Sequence, residues 1–100
     1  MTNTSMQQAN KNTIFAQITQ EMASTYEAKN HDYGNSFGES VEEFGLIAAA
    51  VRMNDKMKRI KSFAKMCPEA MKVKDESIQD TLLDMANYAV MTLVELRCQA

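Results

Sequence analysis

Apolar residues in this chain recur at steps of three and four, the spacing that lines one face of an α-helix, and no stretch alternates as a half-buried strand would. Ile14, Phe15, Ile18, Met22 and Tyr26 predict a first helix, capped by Asn12 or Thr13 and running to about Ala28, with Glu21 and Glu27 toward solvent. Residues 1–11 are rich in Thr, Asn, Ser and Gln and read as a flexible N-terminal arm. Ser40-Val41-Glu42-Glu43 has the form of a capping box, with Ser36 as an earlier start, and no breaker is expected before Pro68. The second helix is therefore expected to run for roughly 25 residues or more. Its apolar positions, among them Val41, Phe44, Ile47, Val51, Met57 and Phe63, cover more than one face, as a central helix touched on two sides requires.

Cys67 to Lys74, with Pro68, reads as a linker or short turn. Asp75 then caps a third helix, with Glu76 in its first turn. Its expected buried face is Ile78, Leu82, Met85, Ala86, Ala89, Val90, Leu93 and Val94, ending near Cys98. The fold expected is all-α: one three-helix domain over residues 12–98 with a long central helix. Three such helices leave an apolar stripe uncovered, so the core is expected to be completed by homo-oligomerisation.

Composition narrows the function. One hundred residues make one domain, and nine methionines without a tryptophan describe an adaptable core. A net charge of −2 excludes broad, charge-driven nucleic-acid binding while leaving room for a local basic site. Cys67 and Cys98 lack metal-ligand spacing and are expected as reduced core thiols. No segment has the composition of a membrane span or a signal peptide, which places the expected protein in the cytoplasm with no membrane partner.

Candidate chemistry concentrates in three places. Lys29-Asn30-His31-Asp32-Tyr33-Gly34-Asn35-Ser36-Phe37 is too polar and aromatic for a plain helix-connecting turn, although a turn with two core aromatics remains the alternative. Gly34 allows close approach to the main chain, and Tyr33 or Phe37 offers a π face to a base. On the second helix, Glu42, Gly45, Ala49, Arg52, Lys56 and Arg59 form a line that is small in the middle and basic at its end. On the third, Glu76, Asp80, Asp84 and Asn87/Tyr88 form an acidic line. Asp80 and Asp84 repel one another at i,i+4 unless a partner intervenes. Two partners stay open: Mg2+ held by Asp80 and Asp84 with Glu39 and Glu42, or ion pairs to Arg52, Lys56 or Arg59. His31, the lone histidine, reads as a hydrogen-bonding residue rather than a general base.

Lys29 to Phe37, Arg52-Met-Asn-Asp-Lys56 with Arg59, and Asp75 to Tyr88 together resemble the nucleotide modification associated domain found widely in bacteriophage genomes, over about residues 24–96. More distantly, that family resembles the all-α nucleoside triphosphate pyrophosphohydrolases of the MazG and dimeric dUTPase type. Their acidic pattern is Glu-x-x-Glu followed by Glu-x-x-Asp. Glu39-x-x-Glu42 matches the first element, whereas Asp84-x-x-Asn87 replaces the second and Glu76 to Asp80 is one residue too long.

The resemblance implies a nucleotide or nucleotide-derived ligand, bound by Lys29, Asn30, Asp32, Tyr33, Asn35, Ser36, Phe37, Arg52, Lys56, Arg59, Asn87 and Tyr88 in a phage protein acting in the host cytoplasm. Two outcomes follow for that ligand. One is Mg2+-dependent hydrolysis of a triphosphate, with Glu39, Glu42, Asp80 and Asp84 as metal ligands. The other is binding without turnover, such as an anti-defence sponge that sequesters a cyclic nucleotide.

Overall fold

A computed structural model describes residues 2–66 and 75–99, and among them the chain is all-α, as expected. There are four helices among the described residues rather than three: α1 (Thr2–Tyr33), α2 (Ser36–Phe44), α3 (Leu46–Ala64) and α4 (Asp75–Gln99). The expected linker from Cys67 to Lys74 lies outside the described residues. The chain divides into two compact units, residues 1–34 and residues 35–100.

The first unit is α1. The segment expected as an arm is helical from Thr2, because neither proline nor glycine interrupts residues 2–33. The expected caps lie inside the helix and bond within it. Thr13 Oγ1 donates to the Ala9 carbonyl at 3.0 Å, and Gln8 Nε2 donates to Asn12 Oδ1 at 3.1 Å. Ile14, Phe15 and Ile18 are exposed, while Met22 and Tyr26 are half-buried. The helix ends at Gly34, whose φ of 77° sits where only glycine is unstrained and whose N–H donates to the Asn30 carbonyl at 3.0 Å.

The second unit is built from α2, α3 and α4. The long central helix expected from the sequence is broken at Gly45, which adopts φ 77° and ψ −160°. This conformation is closed to residues with a Cβ. Its N–H still donates to the Val41 carbonyl at 2.7 Å and its own carbonyl accepts from Ala48 N–H at 3.1 Å, so the chain changes direction without leaving these groups unpaired. The capping box at Ser40 is likewise replaced. Helix α2 starts at Ser36 with Asn35 as N-cap, and Ser40 Oγ donates back to the Ser36 carbonyl from inside the helix.

Helix α4 packs against both α2 and α3. Gly45 alone joins α2 to the start of α3, and α2 meets α4 in its C-terminal half, at Tyr88 and Glu95. Further along α3, Lys56 meets Asp84, nearer the start of α4. Helices α3 and α4 therefore run antiparallel. The buried set is Gly38 and Val41 from α2, Ala49 from α3, and Thr81 and Thr92 from α4. These are small residues, which lets the helix axes approach closely. The Thr92 hydroxyl is satisfied by the Tyr88 carbonyl at 2.6 Å, so its burial carries no unmet donor.

This arrangement corrects the expected buried face of α4 in part: Ile78, Met85, Ala86 and Val94 are half-buried. Leu82, Ala89, Val90 and Leu93 are exposed, and the line through Thr81, Tyr88 and Thr92 faces α2 and α3 instead. The central helix is not covered on two sides either, since Phe44, Leu46, Ile47 and Val51 are exposed around the Gly45 break. Cys98 is a free, exposed thiol rather than a core residue.

A Cβ at Gly45 would meet nothing within 4 Å, so the cost of replacing it arises from backbone conformation alone. Gly45→Ala is expected to lower stability by about 1–3 kcal/mol. Urea unfolding followed by far-UV circular dichroism measures this, and an unchanged midpoint would mean the break is not needed.

Candidate functional site

The site is assembled on one side of α4. Successive helical residues turn by about 100°, so Asp84, Tyr88 and Glu95 fall to one side of the buried Thr81–Thr92 line. On α3, Arg52 and Arg59 fall to one side of the line through Ala49 and Lys56. Lys56 Nζ donates to Asp84 Oδ2 at 3.1 Å, which shows that these two sides coincide.

The Lys56 side chain is only 16% exposed and Asp84 44%, so the pair is partly withdrawn from water. Of the two partners the sequence left open for the acidic line, the basic stripe of α3 is the one that meets Asp84. One turn further along α4, the Tyr88 ring lies 5.2 Å from the Phe37 ring at an interplanar angle of 46°, a tilted aromatic pair. Because the helices are antiparallel, Arg52, one turn before Lys56, stands at the level of Tyr88. An exposed guanidinium, a half-buried aromatic pair and an ion-paired lysine thus occupy neighbouring turns.

Gly38 positions the start of α2 against α4. A Cβ built there would collide with the ends of the Asn35 and Glu95 side chains, so glycine lets both groups settle over the first turn where a larger residue would push them aside. Asn35 makes no side-chain capping bond. The Glu95 carboxylate, brought from α4, supplies negative charge at this helix N-terminus. Glu95 and Gly38 were not among the residues singled out from the sequence. An acidic residue in the last turns of a helix carries no local signal that it serves another helix.

The remaining candidates divide between the two units. Lys29, Asn30, Asp32 and Tyr33 belong to the first. Lys29 and Asp32 are exposed, Asn30 is half-buried, and the Tyr33 side chain lies outside what is described. His31 Nδ1 lies 3.1 Å from Asp32 Oδ1 with both groups exposed, in keeping with a hydrogen-bonding role. Asn35, Ser36, Phe37, Arg52, Lys56, Arg59, Asn87 and Tyr88 belong to the second unit. Of the four candidate metal ligands, Glu39, Glu42 and Asp80 are exposed and Asp84 is held by Lys56. No group of three or more His, Cys, Asp or Glu side chains able to hold a metal is found among the described residues. Among those residues, no helix is long and apolar enough to cross a membrane.

A family model described as nucleotide modification associated domain 1 matches residues 29–96. The matched span starts in the last turns of α1 and takes in α2, α3 and nearly all of α4. Comparison with curated proteins and with solved structures finds no match.

The Lys56–Asp84 pair lies between an exposed ion pair, worth under about 1 kcal/mol, and a buried one. A double-mutant cycle with Lys56→Met and Asp84→Asn is expected to give a coupling energy of about 1 kcal/mol by chemical denaturation, with the single Asp84→Asn variant the more destabilised because it leaves the shielded Lys56 ammonium without a counter-charge. Additive effects would show that the two side chains act independently.

Proposed function

Because the chain belongs to the nucleotide modification associated domain 1 family, we propose that its second unit binds a nucleotide or nucleotide-derived ligand. The observation that carries this reading is the placing of the Phe37–Tyr88 ring pair one helical turn from the Lys56–Asp84 pair, with the exposed Arg52 at the same level. A nucleotide joins a flat base to an anionic phosphate, and the side chains on this face match both halves. Phe37 and Tyr88 offer a ring edge and face for stacking. Arg52 and Arg59 are guanidinium donors suited to bidentate phosphate contact. Asn35, Ser36 and Asn87 add hydrogen-bonding groups of the kind that reads a base edge or a sugar hydroxyl. Lys56 acts as a positioning residue, because its charge is already matched by Asp84.

The same geometry supports binding over turnover. Magnesium-assisted hydrolysis needs carboxylates that converge on the ion and on the phosphate it shares. Glu39, Glu42 and Asp80 are exposed and not gathered, and recruiting Asp84 would strip Lys56 of its partner. Retention of an intact linear or cyclic nucleotide, as in a sponge for a signalling nucleotide, requires no such rearrangement.

The test is incubation of the purified protein with linear nucleoside triphosphates and cyclic nucleotides, with and without magnesium, followed by chromatography of free and heat-released ligand. Intact ligand depleted from solution and recovered on heating is the expected result. Arg52→Ala and Tyr88→Ala are expected to weaken retention about tenfold or more, equivalent to roughly 1.4 kcal/mol each. New products that require magnesium, lost in Asp80→Asn, would replace this reading with the hydrolase. Lys29→Ala reports separately on the first unit.

A further inference from the structure

The cations of the candidate site are held apart along α3. Arg52 and Arg59 stand two turns from one another on the same side of the helix, about 10.5 Å along its axis at 1.5 Å per residue. Lys56 lies between them, but its ammonium is mostly shielded and bonded to Asp84 Oδ2 at 3.1 Å. Asp55 lies between them as well. It comes three residues after Arg52 and four before Arg59, which sets its exposed carboxylate on their side of α3. Lys58 and Lys61 turn away from both arginines, by about 100° or more.

Among the described residues, Arg52, Asp55 and Arg59 take part in no ion pair, so all three charges are left to act on a ligand. Along this side of α3 the order is therefore cation, carboxylate beside an ion-paired lysine, cation. A nucleoside triphosphate concentrates its charge at one end, where the terminal phosphate alone carries roughly −1.5 to −2 at pH 7. Balancing that charge calls for guanidinium groups that converge, and the Asp55 carboxylate stands where they would meet. A phosphodiester has one ionisable oxygen fewer and carries a single charge, which one guanidinium can match. Two phosphodiesters with a sugar between them can each take an arginine and leave no phosphate over Asp55.

Resting on the nucleotide-binding reading above, we infer that the ligand carries two successive phosphodiesters, one at Arg52 beside the Phe37–Tyr88 rings and the next at Arg59. A cyclic dinucleotide and a stretch of single strand share this chemistry.

Isothermal titration of the full chain without magnesium tests it. For each of the four common bases, the probes are a cyclic dinucleotide, a linear trinucleotide without terminal phosphates, a 3′,5′-cyclic mononucleotide and the nucleoside triphosphate. A ligand with two phosphodiesters is expected to bind at least tenfold more tightly than the triphosphate of the same base, and the ring or the linear chain, whichever binds better, identifies its source. Arg59→Ala should weaken that ligand about tenfold and leave the cyclic mononucleotide within about twofold. Asp55→Asn, which removes a like charge from the middle of the face, should tighten triphosphate binding about threefold or more. The comparison of ligands on the unmodified chain decides the matter if a variant fails to fold. A triphosphate bound as tightly as either two-phosphodiester ligand and lost in Arg52→Ala would overturn this assignment while nucleotide binding stands, as would equal losses of mono- and dinucleotide in Arg59→Ala. Binding of none of the probes would overturn both.

Discussion

Helix α4 can turn only one of its lines toward α2 and α3, and it turns the small, polar one. Thr81, Asp84, Tyr88, Thr92 and Glu95 meet the rest of the second unit, while the leucine-rich line faces away. Every polar contact on the candidate site's face descends from that choice. Lys56 finds Asp84, Phe37 finds Tyr88, and the first turn of α2 finds Glu95 over Gly38. Had the leucines turned inward, α4 would have buried more apolar surface, and the acidic line would have faced water without the basic stripe beside it.

The choice has an energetic cost. A buried set of Gly, Val, Ala and two Thr removes little apolar area from water, so the second unit holds together through close approach and a few satisfied polar contacts more than through a large core. The withdrawn Lys56–Asp84 pair fixes the register of the α3–α4 hairpin, because a slip of one helical turn would leave a lysine that is mostly shielded from water without its counter-charge. Arg52 keeps its level beside Tyr88 through that register.

Much of this was legible in the sequence. Helical periodicity fixed the class, and the three motifs that resemble a nucleotide modification associated domain lie within the matched span of residues 29–96. The ionic reading of Asp84 was open on the page, because like charges one turn apart call for a partner. Gly45 was not read as a break, since an isolated glycine inside a helical pattern is usually tolerated and only the backbone angles reveal that it is needed. The face of α4 was misjudged for a physical reason too. Hydrophobic spacing marks a side that wants covering but does not say which neighbour covers it, and small residues such as Thr92, whose hydroxyl is satisfied by the Tyr88 carbonyl, can outcompete leucines where helices must pass closely. Glu95 stayed invisible because its role depends on a helix some sixty residues earlier in the chain.

The last of these features bears on how the molecule is made. A chain emerges N-terminus first, at about 5–20 residues per second during synthesis. Helix α2 therefore appears well before the Tyr88 and Glu95 it rests against. It is also short, nine residues, and helices of that length are marginal in water without tertiary support. Until α4 is released, the segment that begins the candidate site is without the partners that hold it, and a nascent or C-terminally clipped chain would carry most of the site's residues but not the site. Synthesis of α4 is itself the event that switches this surface on.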